Sequence, residues 1–139
     1  MSAKPDFTPA FLRGVQHFNA LEFWDAHESW EELWLEAESD LDQFLQGLIQ
    51  VAAAYHHCKR GTFRGAVRLF DAGLRRLSNF PDPFCGLDRS SVERAARTHR
   101  TWAADLVARG VDDRLTENQY PKLDLVKSDD APMPPSSAW

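Results

Sequence analysis

Apolar residues recur along this chain at three- and four-residue intervals, the period of a helix that buries one face. Thr8-Pro9 supplies a cap and a first-turn proline for a short helix reaching about Phe18. The pattern predicts a second helix from about Leu21 to Glu36. A third follows from Leu41 to about Arg60, capped by Ser39 or Asp40. Gly61-Thr62 reads as a helix stop followed at once by a start, and a fourth helix runs from Phe63 to about Ser78. Pro81 and Pro83 then forbid continuation. A fifth helix opens at Asp88 or Ser90 and ends at Gly110. No segment shows the two-residue alternation between turn signals that marks a strand. The expected fold class is all-α: a single-domain helical bundle of about five helices with short connections, spanning residues 1–127. Residues 128–139 carry three prolines and few core formers, so they read as a flexible Pro/Ser-rich tail.

The wheel of the second helix carries an anomaly. Phe23, Trp24, Ala26, Trp30, Leu33, Trp34 and Leu35 fall on one broad apolar arc, and His27 and Glu31 fall inside it. These two lie four residues apart, one above the other on the helix. A carboxylate among tryptophans is costly, since even an unpaired neutral polar group loses roughly 1–3 kcal/mol on burial. Glu31 therefore needs a specific partner or a raised pKa. His27 and Glu31 are candidates for an acid–base pair or for metal ligation, in a pocket walled by Trp24, Trp30 and Trp34. The alternative is a self-contained pair that only fixes helix packing. The zinc-protease helix motif is excluded because Glu31 stands where it needs a second histidine. The di-iron bundle pattern is excluded because Trp24 stands where it needs a glutamate.

The third helix is unusual in the opposite sense. From Leu41 to Cys58 its only charged residue is Asp42. One face is apolar, and the other carries Gln46, Gln50, Ala53 and His57. A polar but uncharged face predicts a helix contacted on both sides. Gln50 and His57 are therefore candidates to face His27 and Glu31; the alternative is that Gln46, Gln50 and His57 are ordinary hydrogen-bonders of a packed interface. His27, Glu31 and His57 form the candidate metal set, for a divalent ion such as zinc, iron or manganese; Gln46 and Gln50 line the pocket. His17 and His99 read as isolated, structural or solvated residues.

Composition narrows the setting. In 139 residues, 43% hydrophobic and 27% charged, a globular core is affordable. The longest apolar run, Val51–Tyr55, is far short of the roughly 18 residues of a membrane span. Met1–Pro5 lacks the apolar segment of a signal peptide. Two cysteines are too few for a disulfide framework, so the expected setting is the cytoplasm. A net charge of −5 argues against a nucleic-acid binder. The charge is segregated, however. Glu22 to Asp42 holds nine acidic residues and no Lys or Arg, whereas Lys59 to Arg76 holds six basic residues and one acidic. Attraction between these faces, within the bundle or across a homo-oligomer, is the simplest account. Anion binding by Arg64, Arg68 and Arg75 is the remaining alternative.

His27, Glu31 and Trp34 make the pattern His-x3-Glu-x2-Trp. Phe18-Asn19 precedes it; Phe44-Leu45-Gln46-Gly47-Leu48-Ile49-Gln50-Val51-Ala52-Ala53-Ala54, His57, Gly61 and Gly65-Ala66 follow it. In this order the residues resemble domain-of-unknown-function family 309, small helical bacterial and archaeal proteins, over roughly Phe7 to Leu77. Thr62 stands where that family's pattern has Asn, a near-equivalent helix cap. The resemblance implies an all-helical fold and no established activity, and it extends to His27 and Glu31 the suggestion that the motif binds metal. Two functions compete at this point. One is a metal or acid–base site between the second and third helices. The other is a non-catalytic, homo-oligomeric interaction module in which the polar cluster is structural.

Overall fold

The computed structural model describes residues 8–37, 39–82, 84 and 86–125. Helices α1 (Thr8–Asn19), α2 (Phe23–Glu36), α3 (Ser39–Arg60), α4 (Phe63–Leu77) and α5 (Arg89–Arg109) follow one another, with a single 3-10 turn at Glu117–Gln119. Two isolated β-bridges, Phe84 with Leu87 and Leu87 with Leu125, are the only strand-like pairings among the described residues. The all-α expectation holds. The tail read at 128–139 lies outside the described residues. No described helix is long and apolar enough to cross a membrane.

Short connections stack each helix on the next. α3 is the central element, packed against α2 on one side and α4 on the other. This explains its uncharged second face. The core is one cluster in which Phe11, Phe18, Phe23, Trp30, Phe44, Tyr55 and Phe70 are almost wholly shielded from solvent. α1 and α2 meet closely at Gly14, where any Cβ would collide with the Trp30 indole. The Trp30 Nε1–H donates to the Phe11 carbonyl of α1 at 3.1 Å.

The helix ends explain where the expected boundaries shift. α2 begins at Phe23, later than the apolar pattern suggests, because α1 ends in a left-handed turn at Leu21 (φ 63°). Glu22 N–H donates to the His17 carbonyl at 2.8 Å and Leu21 N–H to the Phe18 carbonyl at 3.0 Å, the paired bonds of a Schellman stop. That stop usually falls on glycine; at leucine it costs about 1–3 kcal/mol and leaves no sequence signal. Gly61 (φ 79°) and Gly110 (φ 63°) make the same turn at the ends of α3 and α5, where glycine marked it in advance. α3 begins at Ser39, so that residue belongs to the helix rather than preceding it.

The segment after α5 returns across the bundle. Asn19 clamps it: the Leu123 N–H donates to Asn19 Oδ1 at 2.7 Å, and Asn19 Nδ2 donates to the Leu123 carbonyl at 3.1 Å. Tyr120 is thereby buried against Phe23 and Tyr55.

Candidate functional site

The wheel of α2 brings His27, Glu31 and Trp34 onto the flank that meets α3. The stripe of α3 opposite presents Gln46, Ile49 and Gln50. These six side chains line one open cleft of about 170 Å³. His27 Nε2 lies 3.2 Å from Glu31 Oε2, one turn along the same helix. With Nε2 turned to the carboxylate, a neutral His27 carries its proton there and keeps a lone pair on Nδ1; protonated, it donates from both nitrogens. The His27 side chain is 19% exposed and that of Glu31 45% exposed. The carboxylate thus sits at the mouth of the cleft, with a partner, rather than inside a tryptophan box.

The three tryptophans of α2 separate. Trp34 lines the cleft. Trp30 does not: it is wholly buried, facing α1, and belongs to the core. Trp24 is 50% exposed. Its ring stacks on His27, with centroids 4.7 Å apart and planes 21° apart, and leans on His56 at 5.2 Å. It walls the outer side of His27 without entering the cleft lining.

His57 is not brought into this group. Its Nδ1 lies 2.5 Å from Thr62 Oγ1, and the Thr62 hydroxyl also reaches the His57 carbonyl at 3.3 Å. The α3–α4 turn thus takes up the imidazole, and Thr62 spends its hydroxyl there instead of capping α4. The set His27, Glu31 and His57 does not converge. The single group of three His, Cys, Asp or Glu ligand atoms within 4.8 Å of one another, among the described residues, is His17, Glu22 and Asp25 at the α1–α2 corner. His17, read as isolated, is paired there with Glu22 at 3.1 Å by the Schellman turn. Glu22 and Asp25 are exposed and His17 is partly covered.

Sequence reasoning missed Arg76 of α4. Its Nη1 donates to Gln50 Oε1 at 3.0 Å. This fixes the amide of Gln50 and leaves its NH₂ as the free end. Arg76 was legible only as one of six basic residues, because nothing in the periodicity of α4 says which cation crosses to α3.

Four buried side-chain atoms among the described residues lack a hydrogen-bond partner: His27 Nδ1, Trp34 Nε1, Asp42 Oδ1 and Arg76 Nε. Two belong to the cleft lining, and Arg76 holds a third lining residue. Asp42 lies one turn before Gln46 on the same stripe of α3. Elsewhere, buried polar groups are matched. His99, for example, meets the Tyr55 hydroxyl at 2.8 Å, and Glu93 is paired with Arg89. Burial holds the His99 imidazole below its ordinary pKa and the Tyr55 phenol well above its own, so this pair is neutral. Burial likewise pushes the Cys58 thiol up to about 12 and keeps it from acting as a nucleophile.

Compared with known families, residues 11–69 match the family model of DUF309, a domain of unknown function. No curated protein matches the chain.

Proposed function

We propose, for a chain whose residues 11–69 match the DUF309 family model, that the α2–α3 cleft binds a small polar molecule and that His27 and Glu31 act on it as a proton-exchanging pair. The observation that carries this reading is that two of the four unpartnered buried atoms among the described residues, His27 Nδ1 and Trp34 Nε1, belong to side chains lining one opening. Native proteins leave few such atoms, because each costs about 1–3 kcal/mol unless something binds it. Trp34 Nε1–H and the free NH₂ of Gln50 supply donors, Glu31 supplies an acceptor, and His27 supplies either. At 170 Å³ the cleft is smaller than the roughly 300–1,000 Å³ that encloses a drug-sized ligand. The occupant is a compound of a few heavy atoms, or the polar end of a larger one.

Metal binding fits these residues poorly. His27 and Glu31 face each other, and no third His, Cys, Asp or Glu ligand atom joins them among the described residues. A metal site normally takes three or four protein ligands.

The test is NMR observation of the indole N–H signals while small carboxylates, amides and phosphates are titrated in. At least one probe should shift the Trp34 signal saturably and leave that of Trp30 in place, and Gln50→Ala should weaken that shift about tenfold or more. If no probe moves Trp34, or if Gln50→Ala leaves the response unchanged, the reading fails. A zinc titration that shifts, or a manganese titration that broadens, the His27 and Glu31 signals would restore the metal centre there; a response confined to His17 would place any cation at the α1–α2 corner.

A further inference from the structure

α4 and α5 enclose a groove of about 420 Å³, lined by Arg64, Val67, Arg68, Ala104 and Val107. It runs into a second hollow that shares Arg64 and Val107 and adds Phe63, Leu106 and Val111. The floor is apolar and one rim is basic. Arg64 and Arg68 make no ion pair among the described residues, although Arg100 on α5 takes Asp71 of α4 in a two-bond pair at 2.9 and 3.2 Å. The groove thus ends in two uncommitted guanidiniums.

The complement lies on α2. Leu35 is 73% exposed, the most exposed of the large apolar side chains among the described residues. It shares a surface hollow with Glu28, Glu31 and Glu32. Glu28 and Glu32 also have no ion pair among the described residues. They lie four residues apart, as do Arg64 and Arg68, so both pairs repeat at one helical turn, about 5–6 Å between Cβ atoms. An apolar knob beside two carboxylates matches an apolar groove beside two guanidiniums in chemistry and in pitch. Every copy of the chain carries both halves.

We infer that the α4–α5 groove receives the Glu28–Glu32–Leu35 face of α2 from a second copy of this chain, with Leu35 against Val67 and Val107 and the two carboxylates against Arg64 and Arg68. The contact joins unlike surfaces. It closes as a dimer if applied twice about a two-fold axis, and otherwise forms a ring or an open filament. Apolar burial supplies the attraction, and the charges set register and salt dependence. Glu31 belongs to both this hollow and the ligand cleft, so docking brings the partner against the mouth of the cleft. The contact itself does not depend on that cleft having a ligand.

Charge exchange tests it. Analytical ultracentrifugation of the wild-type chain should give a mass above the monomer that rises with concentration and falls as salt is added. Glu28→Lys/Glu32→Lys and Arg64→Glu/Arg68→Glu should each weaken self-association about tenfold or more, with helical circular dichroism unchanged. Mixed in equal amounts, the two variants present a basic α2 face to an acidic groove and an acidic α2 face to a basic groove, and association should return. Leu35→Lys should weaken it, and mixing with Glu28→Lys/Glu32→Lys should not restore it. A wild-type chain that stays monomeric at low salt overturns the inference, and so does a folded mixture that fails to recover.

Discussion

Trp30 and Trp34 stand one turn apart on α2, are the same residue type, and share an apolar arc. They end in opposite circumstances. Trp30 is sealed in the core, where its ring meets Phe11 and Phe18 and its N–H has the Phe11 carbonyl. Trp34 is partly covered, lines an opening, and its buried N–H has no partner. The histidines divide the same way. His99 is buried and matched by Tyr55; His27 is matched on one nitrogen and unmatched on the other. The core is thus saturated in hydrogen bonds, and the α2–α3 cleft is not. In a folded protein that difference separates groups that hold the structure from groups available to a ligand.

The largest effect should come from emptying the saturated side. Trp30→Ala removes a wholly buried indole and its bond to Phe11, and should lower the unfolding free energy by about 3–5 kcal/mol, as urea denaturation would measure. A loss under 1 kcal/mol would mean that α1 and α2 do not meet as described. Smaller and graded is the response to acid. His99, His56 and His57 all have pKa values lowered first by burial, with Arg60 adding to the effect at the latter two. The unfolded chain, with histidine near its ordinary value of about 6.5, therefore binds protons that the folded chain resists. The stability these neutral imidazoles contribute is complete above that pH and is lost as pH falls from there through the folded values. The urea midpoint should drop between about pH 7.5 and about pH 5. His56→Gln/His57→Gln should retain the part due to His99. A midpoint that stays level or rises on acidification would contradict the burial of these rings.

What could be read in advance follows from what periodicity encodes. Five helices and their order are legible because each carries an apolar stripe and most carry a glycine, a proline or a cap at their ends. The Gln46/Gln50 stripe of α3 is legible as a contacted face because it lacks charge, and it lies on the same cleft as His27 and Glu31. What is not legible depends on where a side chain turns after the backbone is placed. Thr62 draws His57 aside through a bond across the α3–α4 turn. Arg76 reaches from α4 to Gln50, and Asn19 clamps Leu123 from 104 positions away. Trp30 and Trp34 share an arc on the wheel, but only Gly14 on α1, by making room for one indole, decides which of them is sealed.

The smallest expected change is the most discriminating. Trp34→Phe keeps an aromatic ring on the wall of the cleft and deletes the indole N–H. Because that N–H has no partner, its removal forfeits no hydrogen bond and relieves a desolvated donor. The unfolding free energy should stay within about 0.5 kcal/mol of the wild-type value, or rise slightly. The same substitution at Trp30 removes a satisfied donor and leaves part of a closed indole site empty, so it should cost about 1–3 kcal/mol. Near-neutrality at Trp34 together with loss of the small-molecule response there would assign that side chain to binding. Equal losses at both positions would make Trp34 a core residue like its neighbour, and the contrast between the saturated core and the unsaturated cleft would no longer hold.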